Sequence, residues 1–285
     1  MPSRFGLTLC QSKYASDVLH RFKMENSKPT KTPCCPNVHL TPFEGFVLPD
    51  PTEYRSMVGA LQYLTFTCPD LALSVHQRCQ FMQNHTSSHL EAAKHVLRYV
   101  RGTLHFGVHL APGPLTFFAF SDVDWAGDPT NRKSTTRMLV FLGSNPISWS
   151  SKKQSIVSCS STEAEYHALA STAAELAWLR IMLNELRLFL PHSPILWCDN
   201  NSAIALASNP VFHSRTKYIE VDYHYVRGCV LCSTLGVKFI FGHDNFANIF
   251  TKPLPGPHFL VLRSKLLADT ALSLRGDVKS THRNN

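Results

Sequence analysis

The chain has 285 residues, 44% of them hydrophobic, and its 28 Lys and Arg against 20 Asp and Glu give a net charge of +8. That length admits one large domain or two ordinary ones, and the apolar share is enough to bury cores. The N-terminus has no secretory h-region and no apolar run approaches roughly 18 residues, which argues against a secreted or membrane-bound protein. The expectation is a soluble cytoplasmic or nuclear protein whose nine cysteines are free thiols. The sequons Asn84-His85-Thr86 and Asn200-Asn201-Ser202 carry no meaning without secretion. A pI near 9.1 favours a polyanionic partner, and the basic residues are dispersed along the chain rather than gathered in a tail.

In chain order, "GLTLCQSKYASDVLHRF" reads as a short strand and a helix, which Pro33 and Pro36 in "KPTKTPCCPN" bring to an end. Asp50-Pro51-Thr52-Glu53 carries an N-cap, a Pro at N1 and a Glu at N3, and so starts a helix running to about Phe66. Pro69 opens a second helix, to about Met82. Ser88-His89-Leu90-Glu91 has the form of a capping box for a third helix, which Gly102 ends. Its apolar stripe is Leu90, Ala93, Leu97 and Val100. Its other face carries Lys94, Arg98 and Arg101, either a solvated face or phosphate contacts; helical spacing does not separate the two.

"LAPGPL" at 110–115 is a Pro/Gly linker and marks a domain boundary. Strands follow at 116–121, 138–142, 147–151, 195–198 and 237–241, with a long helix at 162–187 between the third and fourth. The polar stretch 274–285 has the composition of a disordered tail.

The first of these strands ends in "SDVDWAGD", placing Asp122, Asp124 and Asp128 in a basic chain. The fourth, "ILWC", is followed by Asp199. A strand–crossover–strand order predicts a parallel pair, which puts Asp122 and Asp199 at one edge of the sheet, where α/β folds bind ligands. On the long helix the stripe Leu169, Thr172, Leu176, Leu179, Leu183, Leu186 extends back by one turn to Glu165, which should therefore face the sheet. A buried acid needs a partner, and three gathered acids repel unless a divalent cation joins them. Oxygen-only ligands favour Mg²⁺ or Mn²⁺. A strand-end Asp taken alone is more often turn chemistry, and Asp124 and Asp128 are assigned to the turn or rim.

These residues carry a family resemblance. "SDVDWAGD", "KSTTRMLVFLGSNPISWSSKKQSIVSCSSTEAEYHALA", "LWCDNNSAIALASNPVFHSRTKYIEVDYHYVR" and "NIFTKPLP" resemble the ribonuclease H segment of a copia-type retrotransposon Pol polyprotein. "QSKYASDVLHRFKMEN" and the stretch from Tyr54 to Thr103 resemble the end of its reverse transcriptase and the connecting helices. The resemblance spans about residues 6–270. It implies an α/β fold, a mixed five-stranded sheet flanked by helices, at 113–270. A mostly helical reverse-transcriptase remnant would precede it at 1–112, and a tail would follow at 271–285. It implies two Mg²⁺ or Mn²⁺ ions held by Asp122, Glu165, Asp199 and the residue at 248, cutting the RNA strand of an RNA–DNA hybrid.

Three departures qualify that expectation. No Tyr-x-Asp-Asp occurs, and the protease and integrase regions are absent, so neither polymerase nor those activities are expected. Arg137 stands where the family has a small residue before a strand, and is expected to strain that turn. Asn248 replaces the family's fourth acid, bringing a carbonyl oxygen but no charge, so turnover should be weakened. The alternative is an inert nucleic-acid-binding remnant. Arg215 and Lys217, with His213, lie on a loop after the third acid and are candidate backbone contacts. His224 and His243 are candidates for proton transfer. Cys229 and Cys232 are expected to be buried thiols rather than a metal pair, and Trp125, Trp149 and Trp178 core residues.

Overall fold

A computed structural model describes residues 6–34, 40–208, 220–250 and 254–269. They fall into two compact units, one drawn from Met1–Ala111 and Pro253–Asn285, the other from Pro112–Lys252. The first boundary falls inside the Pro/Gly linker. The second departs from the expected single span 113–270, because the last described helix and strand belong with the first unit. The expected tail at 271–285 lies outside the described residues.

In the first unit, β1 (Leu7–Leu9) leads to α1 (Ser12–Arg21), followed by α2 (Thr52–Leu64), α3 (Ala72–Cys79), α4 (Ser87–Gly102) and β2 (Phe106–Leu110). Asp50 Oδ1 accepts the Thr52 N–H at 2.8 Å, but α2 begins one residue later than its start signal reads, with Pro51 rather than Asp50 at the N-cap. The α4 capping box is shifted by two residues from the expected Ser88–Glu91 pair. Thr86 is the N-cap, and its backbone N–H donates to His89 Nδ1 at 2.9 Å. A buried imidazole here does the work of the usual N3 Glu, a substitution that the sequence pattern does not encode. Leu90, Ala93, Leu97 and Val100 are buried as expected.

The C-terminal α8 (Gly256–Leu266) and β8 (Ala268–Asp269) close this unit. β8 pairs antiparallel with β2, and the Arg263 guanidinium lies 4.3 Å over the Phe106 ring. Tyr99 donates to the buried Asp70 carboxylate and sits 3.3 Å from Arg263 Nη1. That anchoring is why the C-terminal segment leaves the second unit.

The second unit is a five-stranded mixed sheet, ordered β5–β4–β3–β6–β7. Its strands are β3 (Phe117–Asp124), β4 (Thr135–Leu142), β5 (Asn145–Lys153), β6 (Ile195–Cys198) and β7 (Gly236–Phe239). The first three are antiparallel neighbours, whereas β6 runs parallel to β3 and β7 parallel to β6. The helices are α5 (Ser161–Glu185), α6 (Asn201–Ser208) and α7 (Glu220–Leu231). Alternation along β3 sends Phe117 and Ala119 to the core shared with Leu169, Leu176 and Leu183 of α5. Phe118 and Phe120 go to the other face, where they meet Phe141 and Phe246.

Packing corrects four expectations. Leu186 is 63% exposed, because α5 ends at Glu185 and the stripe leaves the sheet with it. Trp125 and Trp178 are about half exposed rather than core. Cys232 is exposed and Cys229 only partly buried, since they close the solvent-facing end of α7. Arg137 strains no turn: it lies within β4, directly opposite Asp122.

Candidate active site

The last matched positions of the parallel β3/β6 pair are Phe120 and Trp197. Two residues beyond each, the chains reach Asp122, still within β3, and Asp199, so both acids stand at the same carboxyl-end edge of the sheet. Glu165 enters from α5, buried on the stripe that begins at the helix's second turn. Ligand atoms of Glu165, Asp199 and Cys198 lie within 4.8 Å of one another.

Electrostatics ties Asp122 to the same group. Burial pushes Glu165 up to about 9, reinforced by the charges of Asp122 and Asp199. Burial raises Asp122 to about 7; Arg137 opposes that shift and Asp199 adds to it. Asp199 is raised as well, by burial. The Cys198 thiol is pushed to about 12 by burial and by Glu165, so it stays protonated. Its sulfur accepts the Asn200 N–H at 3.4 Å.

The three carboxylates fit a hard divalent cation. Glu165 Oε2 is buried without a hydrogen-bond partner, and clustered acids of raised pKa are what such an ion relieves. Arg137 complicates the fit. It is 1% exposed, with Nη1 3.9 Å from Asp122 Oδ2 and Nη2 3.4 Å from Asp124 Oδ2. Asp124 thus belongs to this ion pair rather than to a turn alone. Gly127 lets it do so: a Cβ there would come within 2.1 Å of Asp124 Oδ2. Asp128 accepts from Lys153 and from the Thr130 and Asn131 N–H groups, as a rim residue should.

Asn248 donates its amide N–H to the Gly242 carbonyl. A Cβ on Gly242 would lie 3.2 Å from Asp199 Oδ2, so Gly242 connects position 248 to the third acid. The fully buried Asn245 holds this loop. It donates to the Ser121 carbonyl at 2.9 Å and accepts the Ala247 N–H at 3.0 Å. Neither Asn245 nor Arg137 was legible as a site neighbour. The only signal for Arg137 was strand register, which the sequence does not state.

The other candidates have partners of their own or lie beyond the described residues. Lys94 pairs with Glu91 at 3.5 Å, while Arg98 and Arg101 donate to the Lys28 and Glu25 carbonyls at 2.9 and 2.6 Å. Arg215, Lys217 and His213 lie outside the described residues. His243 is exposed and pairs with Asp244 at 3.1 Å, and His224 is exposed on α7. No described helix is long and apolar enough to cross a membrane.

Strand order 3-2-1-4-5 in the second unit's own count, with acids at the edges of its first and fourth strands and on the intervening helix, defines a ribonuclease H-like α/β domain. The chain's homologues include retrovirus-related Pol polyproteins from copia-type transposons. The chain is 46% identical over 262 residues to the retrovirus-related Pol polyprotein from transposon RE1 of Arabidopsis thaliana, and 48% identical over 250 residues to that from transposon RE2 of the same plant. Those alignments cover 92% and 87% of this chain but only 18% and 17% of the polyproteins, so the chain spans less than a fifth of their length. No family model matches it. Among solved structures, a ribonuclease H1 isolated from compost is similar at 15% identity and a TM-score of 0.36, over 48% of this chain and 92% of that one.

Proposed function

We propose that the second unit is a metal-dependent nuclease domain acting on the RNA strand of RNA–DNA hybrids. The convergence of Asp122, Glu165 and Asp199 at the carboxyl edge of β3 and β6 carries this reading. These three residues would hold the Mg²⁺ or Mn²⁺, with Asn248 adding a neutral amide oxygen. Ions held there would supply Lewis-acid activation of water and neutralise charge at the scissile phosphate. The protein's own share is positional. Burial of Glu165 keeps the cluster short of water and strengthens its field, while Asn245 ties the 242–250 loop to β3. The net charge of +8 supports a nucleic-acid partner, with phosphate contacts setting register and not sequence preference.

A cleavage assay on an RNA–DNA hybrid in Mg²⁺ or Mn²⁺ tests the reading. Asp122→Asn, Glu165→Gln and Asp199→Asn should each lower the rate by at least ~100-fold, the upper range for losing a mere outer-shell partner. Equal cutting of single-stranded RNA, or rates that survive these changes, would overturn it. A second reading, a catalytically inert hybrid-binding module, is favoured by the buried Arg137 beside Asp122. Tight hybrid binding with no cleavage in either metal would establish that one instead.

A further inference from the structure

We infer that the Arg137 guanidinium is a resident countercation of the acid cluster: it holds Asp122 when no metal is bound, and it limits the site to one strongly bound divalent ion. The inference rests on reading Asp122, Glu165 and Asp199 as metal ligands. Register places Arg137 directly across from Asp122, on the neighbouring antiparallel strand and therefore on the same face of the sheet. Its Nη1 is 3.9 Å from Asp122 Oδ2, and its Nη2 is 3.4 Å from Asp124 Oδ2. The side chain is buried.

The acids divide accordingly. Glu165 and Asp199 bring ligand oxygens within 4.8 Å of each other, in a group that does not include Asp122. Fully ionised, Asp122, Asp124, Glu165 and Asp199 with one guanidinium sum to three negative charges, which more than balance one divalent ion but fall short of two. Asn248 adds none. A second ion would have to approach Asp122 against a fixed positive charge in a water-poor setting, where screening is weak. A guanidinium keeps its charge at neutral pH and cannot escape by deprotonation. An ordinary structural ion pair would show the same distances, but it would leave metal stoichiometry untouched.

The test is Mn²⁺ titration of the full metal-stripped chain without nucleic acid, read by the loss of the free-ion electron paramagnetic resonance signal and by thermal denaturation. The wild-type chain should take up one Mn²⁺ tightly and a second at least tenfold more weakly. Arg137→Met, which keeps the stem without the charge, should equalise the two sites. It should also melt lower without metal and gain more from Mn²⁺ than the wild type does. Arg137→Lys should keep the wild-type stoichiometry. A wild-type chain binding two Mn²⁺ with similar affinity would overturn the inference, as would a folded Arg137→Met chain that titrates like the wild type. If Arg137→Met folds only when Mn²⁺ is added, that dependence supports the inference. Failure of wild type and Arg137→Met alike to bind Mn²⁺ more tightly than Asp199→Asn would remove the metal-ligand reading itself, and the inference with it.

Discussion

Position 248 shows how one side chain sets the terms of a site. Its amide N–H donates to the Gly242 carbonyl, and Gly242 stands against the Asp199 carboxylate. An aspartate there could not donate, so Asn248→Asp would place a carboxylate beside a carbonyl oxygen and near Asp199. Without metal that change should destabilise the chain by about 1–3 kcal/mol, the usual cost of leaving a buried polar group unsatisfied. With Mg²⁺ the added charge becomes a ligand, and hybrid cleavage should rise. Thermal melts in EDTA and in Mg²⁺, run beside the cleavage assay, check both signs. An Asn248→Asp chain that melts like the wild type in EDTA and cuts no faster in Mg²⁺ would show that this position does not limit the chemistry.

At the scale of elements, α5 delivers Glu165 because its buried stripe is anchored further along. Leu169, Leu176, Leu179 and Leu183 pack into the sheet core, whereas Leu186 lies beyond the helix end. Leu176→Ala should cost 2–5 kcal/mol, about the range for emptying a packed leucine site. Leu186→Ala should fall within about 0.5 kcal/mol of wild type. Urea denaturation of the two variants separates them, and equal losses would mean that the helix phase is misplaced. The 242–250 loop has a polar anchor on β3. Asn245 joins it to the Ser121 carbonyl, one residue before Asp122.

At the scale of the whole molecule, two properties follow from where charge is buried. Glu165 and Asp122 have folded pKa values of about 9 and about 7, above their ordinary 4.5 and 3.8. The folded chain therefore binds more protons than the unfolded one across that window. The stability these groups contribute is fully present below about pH 4 and is lost as pH rises through 7 and then 9. The slope is at most about 1.4 kcal/mol per pH unit per group. Melts in EDTA from pH 6 to 9 should fall, and Glu165→Gln should flatten the upper part of the fall. The second property concerns the basic face of α4. Arg98 and Arg101 are engaged with backbone carbonyls of the same unit. Arg98→Ala should lower stability by about 0.5–1.5 kcal/mol and leave the salt dependence of hybrid binding unchanged. A phosphate contact would instead remove about 0.9 from the slope of log affinity against log salt, by the B-DNA value.

The sequence by itself determined the sheet, the order of its elements and the three acids. Those depend on short-range patterns: alternation in the apolar strands, a leucine period running back to Glu165, and an aspartate near the carboxyl end of β3 and directly after β6. It also carried the resemblance to retrotransposon Pol polyproteins, through long ordered motifs. Only the tertiary structure decided what surrounds the acids. Arg137 reads as a misfit before a strand until register sets it across from Asp122. Asn245 reads as loop until it meets the Ser121 carbonyl 124 residues earlier. His89 caps its helix from within a buried cluster, and α8 joins the first unit through Arg263, Tyr99 and Asp70. Each of these pairs residues that are distant in sequence or matched across strands. No local period encodes such contacts; they exist only once the chain has closed around its cores.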